Sequence, residues 1–104
     1  KEIIMLNDKN YQICFEGQEL MNIFVEIDFI LISLAGMGRN FELYEKREFY
    51  EKDTTKFIDE CNVTERLATI RAIIAKKFDN TLGVDDMDDL ERATQNTNYW
   101  KGNF

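Results

Sequence analysis

The chain has no histidine, no proline and only two cysteines among its 104 residues. Without histidine it can form neither a zinc site of mixed Cys and His ligands nor a Cys–His catalytic pair. Cys14 and Cys61 belong to no CxxC motif, and a chain of ordinary apolar content does not need a disulfide to fold. We therefore expect two reduced thiols, no metal, no cofactor and no enzymatic activity.

Basic residues are also scarce. Lys and Arg number 13 against 20 Asp and Glu, which gives a formal net charge of -7. A protein that binds a phosphate backbone needs an excess of basic side chains, so the composition argues against nucleic acid as a partner. The charge suits a cationic protein partner, and it equally suits plain solubility.

No uninterrupted apolar run reaches the length of a membrane span. The longest uncharged run, from Phe29 to Gly38, is about half of a span. Charged residues also interrupt the first segment, which is not typical of a secretory signal. We therefore expect a cytoplasmic protein that does not contact a membrane.

The opening KEIIMLN, DKN and YQICFEG predicts two short strands around a polar turn, because β-branched and aromatic residues flank the polar cluster. The next segment, residues 22–34, has two interpretations. Its polar residues fall on one narrow stripe, which favours a nearly buried helix that Gly36 and Gly38 would stop. Its alternating β-branched residues would instead suit a strand in a small antiparallel sheet. In the helical register Asp28 would be buried, and Arg71 is its expected partner.

Three further helical segments are expected. The region around Phe41 to Asp53 has no clear period, and a short helix should begin at Thr54 or Thr55. NVTERLATIRAIIAKKFDN predicts the clearest helix, and a last one should begin near Val84, with Asp88 and Arg92 paired. The predicted fold class is α+β and mostly helical: an N-terminal β-hairpin packed on about four helices, in one domain over residues 1–104.

The run GVDDMDDLERA is the most unusual feature, because five of the seven residues from Asp85 to Glu91 are acidic. No frame of this run supplies the ligands of a calcium loop. A helix start needs one or two acids and not five. The remaining interpretations are a solvated face and a surface that binds a basic partner, for which the candidate residues are Asp85, Asp86, Asp88, Asp89 and Glu91.

A second candidate surface combines acids with aromatic side chains, as binding hot spots do: Tyr44, Glu45, Glu48 and Tyr50. Tyr99 and Trp100 could belong to an interface or to the core. For Trp100 the core is the favoured position, because a single tryptophan usually buries most of its surface.

Three stretches together resemble small bacterial immunity proteins of the contact-dependent growth inhibition type. They are EIDFILISLAGMGRN, TTKFIDECNVTERLATIRAIIAKKFD, and GVDDMDDLERA with a tyrosine and a tryptophan beyond it. The resemblance covers the chain from about Glu26 to Trp100. It implies a protein that binds and neutralises the toxic C-terminal domain of a cell-surface exoprotein.

The resemblance also implies the nature of the partner. Many such toxins are nucleases, ribonucleases foremost, and a nuclease carries a basic groove for its substrate. The expected complex is one-to-one, and the inhibitor would occlude the substrate-binding site without catalysis. The alternative is a small helical regulatory or adaptor protein that binds another basic protein.

Overall fold

The computed structural model describes residues 5–44 and 46–102, and it gives no position for the side chain of Tyr44. A short 3-10 helix, Asp8–Asn10, comes first along the chain. The α-helices that follow are α1 (Gly17–Tyr44), α2 (Arg47–Glu60), α3 (Val63–Ala75) and α4 (Asp89–Thr94).

The chain divides into two compact units. The terminal unit consists of Lys1–Cys14 and Ile74–Phe104, and the helical unit is Phe15–Ile73. The terminal unit therefore joins the two ends of the sequence, whereas the helical unit is one continuous stretch. The predicted set of four helices is accordingly split, because α1 and α2 lie in the helical unit and α4 lies in the terminal unit.

The predicted N-terminal β-hairpin is wrong, and with it the α+β fold class. Residues 5–44 and 46–102 contain no strand, and residues 1–4 of the first predicted strand lie outside the described ranges. The polar turn forms a 3-10 helix because the Asn7 side chain accepts a hydrogen bond from the backbone N–H of Lys9. The backbone N–H of Asn7 donates to Asp89 and not to a neighbouring strand.

Residues 22–34 are helical, which confirms the helix interpretation and rules out the strand alternative. The expected near-complete burial is wrong, because only Ile23 and Ile30 of this segment are buried. The expected stop at Gly36 and Gly38 is wrong, because α1 continues to Tyr44. A glycine inside a helix costs only about 1 kcal/mol relative to alanine, and packing can offset this. Phe41 supplies such packing: its ring lies 5.0 Å from that of Tyr50 on α2, and Arg47 stacks on both rings.

Helix α1 packs mainly on α2, where the Phe29 ring lies 5.8 Å from that of Phe57. Four buried apolar side chains form the core of the helical unit, two from α1 and two from α3: Ile23, Ile30, Val63 and Ile70. Within each pair the residues are seven positions apart, so each helix contributes side chains from the same face two turns apart.

The expected pair between Asp28 and Arg71 is wrong, since both residues are exposed. Glu26 is the carboxylate that α3 binds, and Arg66 Nη1 donates to its Oε2 at 2.7 Å. The Arg66 guanidinium also lies 4.5 Å from the centre of the Phe29 ring. The two acids are two positions apart on α1, so they point in different directions and only Glu26 reaches α3.

The expected short helix at Thr54 or Thr55 is part of a longer one. Helix α2 already begins at Arg47, and the hydroxyls of Thr54 and Thr55 donate to the carbonyl oxygens of Tyr50 and Glu51, one turn earlier. Threonine can satisfy its hydroxyl in this way inside a helix, so its presence does not require a helix start.

Candidate functional site

The acidic segment, residues 79–91, lies in the terminal unit and leads into α4. Its residues from Leu82 to Asp88 form a turn in which Gly83 N–H donates to the carbonyl oxygen of Met87 at 2.9 Å. The expected helix start near Val84 is therefore wrong, since α4 begins at Asp89. Most of the negative charges precede the helix or lie in its first turn.

Arg92 is the centre of this segment. Its Nε and Nη2 donate to the two carboxylate oxygens of Asp85, each at 2.7 Å. Its Nη1 donates to Asp89 Oδ1 at 2.9 Å, and Nη2 also donates to the Met87 carbonyl oxygen at 2.9 Å. The bidentate contact with Asp85 fixes the turn against α4, because two parallel hydrogen bonds hold the planar guanidinium and the carboxylate in a defined orientation.

The predicted pair of Asp88 with Arg92 is wrong. The side chain of Asp88 accepts a hydrogen bond from Glu91 N–H at 2.8 Å and caps α4. Glu91 in turn accepts from the backbone N–H of Asp88, which completes a capping box. Asp88 cannot cap the helix and reach along it to Arg92 at once, so Arg92 binds the carboxylates on either side.

Asp89 is buried, with 5% of its surface exposed, and it connects α4 to the start of the chain. Its Oδ2 accepts from Asn10 Nδ2 at 2.7 Å and from the backbone N–H of Asn7 at 2.8 Å. Asn10 also exchanges two hydrogen bonds with the backbone of Asp79, at 2.8 and 2.9 Å. Buried polar groups in this network are therefore all paired, as stability requires.

These contacts hold the acids in their charged form. Hydrogen bonds from the Arg92 side chain lower the pKa of Asp85 to about 2. The Asn10 amide and the Asn7 N–H lower the pKa of Asp89, and Arg92 adds to the effect. Hydrogen bonds from Thr81 lower the pKa of Asp79. The pKa of Arg92 is raised by its carboxylate partners.

The five predicted partner-binding acids thus divide into two groups. Asp85 and Asp89 are bound to Arg92; Asp89 is buried, whereas Asp85 remains exposed. Asp86 and Glu91 are exposed, and Asp88 is half-buried. Asp86 adopts a left-handed backbone with φ 61°, at the tip of the turn that Asp85 anchors. We call Asp86, Asp88 and Glu91 the outer acids.

A groove of about 670 Å³ runs beside this turn. Asp85, Asp89 and Arg92 line its polar side, and Leu82 and Val84 line its apolar side. Val84 is fully exposed, and Tyr99 and Trp100 of the same unit are 67% and 91% exposed. The core position expected for Trp100 is therefore wrong: its ring covers Gly102, where an added Cβ would lie 2.8 Å from it.

The second candidate surface is described only in part. Glu45 and the side chain of Tyr44 lie outside the described residues. Glu48 is exposed on α2, whereas the Tyr50 ring is half-buried against Phe41 and Arg47. Tyr50 therefore has a packing role within the helical unit, and the binding patch of four residues stays a prediction.

The described ranges contain no group of three or more acidic or cysteine side chains arranged to hold a metal ion. Cys14 is exposed and Cys61 is half-buried, and both are free thiols. The predicted strand position of Cys14 is wrong, because the described residues contain no strand and the thiol is exposed.

Sequence reasoning missed Asn10 and the double role of Arg92. Arg92 carried a usable signal, because it is the nearest base to a run of acids and so the nearest available counter-charge. Asn10 carried none, since its partners are 69 and 79 positions away. Comparison with protein-family models, with curated proteins and with solved structures gives no match for this chain.

Proposed function

We propose that this protein is an immunity protein that binds and neutralises a basic toxin domain, which is a nuclease and in particular a ribonuclease. It would act in the cytoplasm, form a one-to-one complex, and occlude the substrate-binding site without catalysis. The proposal rests on the family resemblance stated above and on the acidic segment of the terminal unit.

The observation that supports it most directly is the clamp of Arg92 on Asp85. The clamp pairs Arg92, the base that directly follows the acidic segment, and fixes the turn that carries Asp86. The outer acids therefore lie on a fixed turn and a capped helix, so little conformational freedom is lost when they bind a cationic groove. A negative, preorganised surface accelerates association with a basic partner and orients it.

Exposed aromatic side chains in the same unit suit this role. Tyr99 and Trp100 expose most of their surface to solvent, and tyrosine and tryptophan are enriched where binding energy is concentrated. The acids would then set the association rate, and the aromatic side chains would slow dissociation.

The test is co-expression of this chain with the basic toxin domain encoded beside it, followed by purification and a nuclease assay. The proposal predicts a one-to-one complex and a loss of nuclease activity proportional to the amount of this chain added. A complex that keeps full nuclease activity would favour the adaptor alternative. Absence of any complex with that domain would refute the proposal.

A further inference from the structure

The outer face of α1 carries large apolar side chains that no other part of the helical unit covers. They recur at alternating intervals of four and three residues and are 41–64% exposed. We call this set the α1 stripe: Leu20, Phe24, Ile27, Leu31 and Leu34.

The spacing of the α1 stripe is that of the contact positions in a coiled coil. Intervals of four and three keep side chains on one side of a helix over several turns. Ile23 and Ile30, which face the core of the helical unit, lie on a different side of the same helix. Met21, Val25 and Ile32 are exposed on a further side, where the charged Asp28 interrupts the repeat. Helix α1 therefore exposes apolar side chains beyond the face that packs within the unit, and the α1 stripe is the uninterrupted set.

We propose that the α1 stripe is a self-association surface, on which α1 of a second copy of this chain packs. A stripe with this repeat is complementary to another helix with the same repeat, and a second copy supplies one. The set is also nearly symmetric about Ile27, with Leu20 and Leu34 seven residues to either side. The same stripe can therefore face itself across a two-fold axis.

The area is sufficient for such a contact. A large apolar side chain exposes on the order of 200 Å² when fully accessible, so five that are about half exposed leave roughly 500 Å² on each copy. Pairing two stripes would remove about 1,000 Å² from water, which is the lower bound for a specific protein interface. The apolar patch of roughly 500 Å² on a single copy is also at the upper end of what monomeric proteins expose.

A lipid bilayer is a weaker candidate for the occupant. By length and composition the helix from Gly17 to Leu43 could cross a membrane, and only 11% of its most apolar part is buried. Glu26 and Asp28 lie within that apolar part, and Glu26 is already paired with Arg66.

The test is sedimentation velocity of the full chain over a roughly thousandfold concentration range, with matched pairs of variants. Phe24→Glu/Leu31→Glu places two charges on the α1 stripe. Val25→Glu/Ile32→Glu places the same charges one position further along, at side chains of similar exposure outside the stripe. The stripe variant should weaken self-association at least about hundredfold, whereas the control should associate like the wild type.

A gain-of-function pair protects the test against misfolding. Gly38 continues the α1 stripe at its next position, and a Cβ added there meets nothing within 4 Å. Gly38→Leu should tighten self-association at least about fivefold. Gly36→Leu adds the same side chain and the same helix propensity on a different side of α1, and it should not.

Several outcomes would overturn the proposal. Wild-type protein that stays monomeric across the range would do so, as would equal weakening by the two charged double variants. Flotation of the monomer with phosphatidylcholine vesicles, lost in the stripe variant alone, would assign the surface to lipid. A monomer whose stripe variant alone loses toxin neutralisation would assign it to the toxin. Self-association does not depend on the proposed function, so failure of either leaves the other standing.

Discussion

Asn10 Nδ2 donates a 2.7 Å hydrogen bond to Asp89 Oδ2, which joins two residues 79 positions apart in the sequence. The same amide group binds the backbone of Asp79 through two further hydrogen bonds. One buried asparagine therefore ties the start of the chain both to the beginning of the acidic segment and to α4. The acidic segment owes its fixed shape to this contact and to the clamp of Arg92.

Removing the Asn10 amide should destabilise the terminal unit. In Asn10→Ala, Asp89 loses a partner and the Asp79 backbone loses two, so the free energy of unfolding should fall by about 1–3 kcal/mol. The free energy of unfolding should fall further in Asn10→Asp, because a second carboxylate would then lie beside Asp89. Amide hydrogen exchange of Asn7 and Asp79 reports on this unit specifically. Unchanged protection of both amides in both variants would contradict the described network.

Gly83 should tolerate no side chain, because a Cβ there would lie 2.7 Å from Arg92 Nη2. Arg92 is held by two carboxylates and cannot easily withdraw. Gly83→Ala should therefore lower the melting temperature and loosen the clamp, at a cost of about 1 kcal/mol or more. Gly17→Ala is the matched control, since its Cβ would meet nothing within 4 Å. Equal melting temperatures for the two variants would show that Arg92 is not fixed in this position.

The terminal unit should lose stability in acid. The folded pKa values of Asp79, Asp85 and Asp89 are all lowered, that of Asp85 to about 2. Their contribution is therefore complete above the unfolded pKa of about 3.9 and is lost as the pH falls toward about 2. The protection factor of the Gly83 amide, which is hydrogen bonded across the turn, should fall steeply in this window when it is followed from about pH 5 downward. Asp85→Asn should flatten that fall, and a profile identical to wild type would contradict the role given to Asp85.

Arg66 should matter for docking α1 on α3. It donates to Glu26, stacks on Phe29 and donates to the carbonyl oxygen of Cys61 at 2.8 Å. Arg66→Lys keeps the charge and loses the planar stacking and the second donor, so the free energy of unfolding should fall by about 1 kcal/mol. Arg71→Lys, at an exposed position of the same helix, is the control. Denaturant unfolding measures the stability of both variants, and equal midpoints would show that Arg66 does not stabilise the helical unit.

The helices were largely predictable from local pattern, whereas the contacts between distant segments were not. The narrow polar stripe of residues 22–34 indicated a helix correctly, because periodicity is a local property. The predicted hairpin failed because the same β-branched and polar residues suit a strand or a coil, and partners 69 to 82 positions away decided between them. The helix boundaries predicted from glycine and threonine were wrong. Tertiary packing and hydrogen bonds from the threonine hydroxyl to the preceding turn outweigh the intrinsic preferences of these residues.

The acidic segment shows the same division. Its charge could be counted in the sequence, but the separation into clamped and outer acids depends on Arg92 and Asn10 in three dimensions. A count of charges therefore overstated the number of acids available to a partner.

The central claim is that the outer acids steer a basic toxin domain to this protein. The most direct measurement is the stopped-flow association rate of that domain with Asp86→Asn/Asp88→Asn/Glu91→Gln, in which asparagine and glutamine preserve the cap of α4. Asp53→Asn/Asp59→Asn/Glu60→Gln removes the same charge from exposed positions of α2 and is the control. We expect about tenfold slower association and a shallower salt dependence for the first variant only. Equal association rates for the two variants, with both folded, would contradict it.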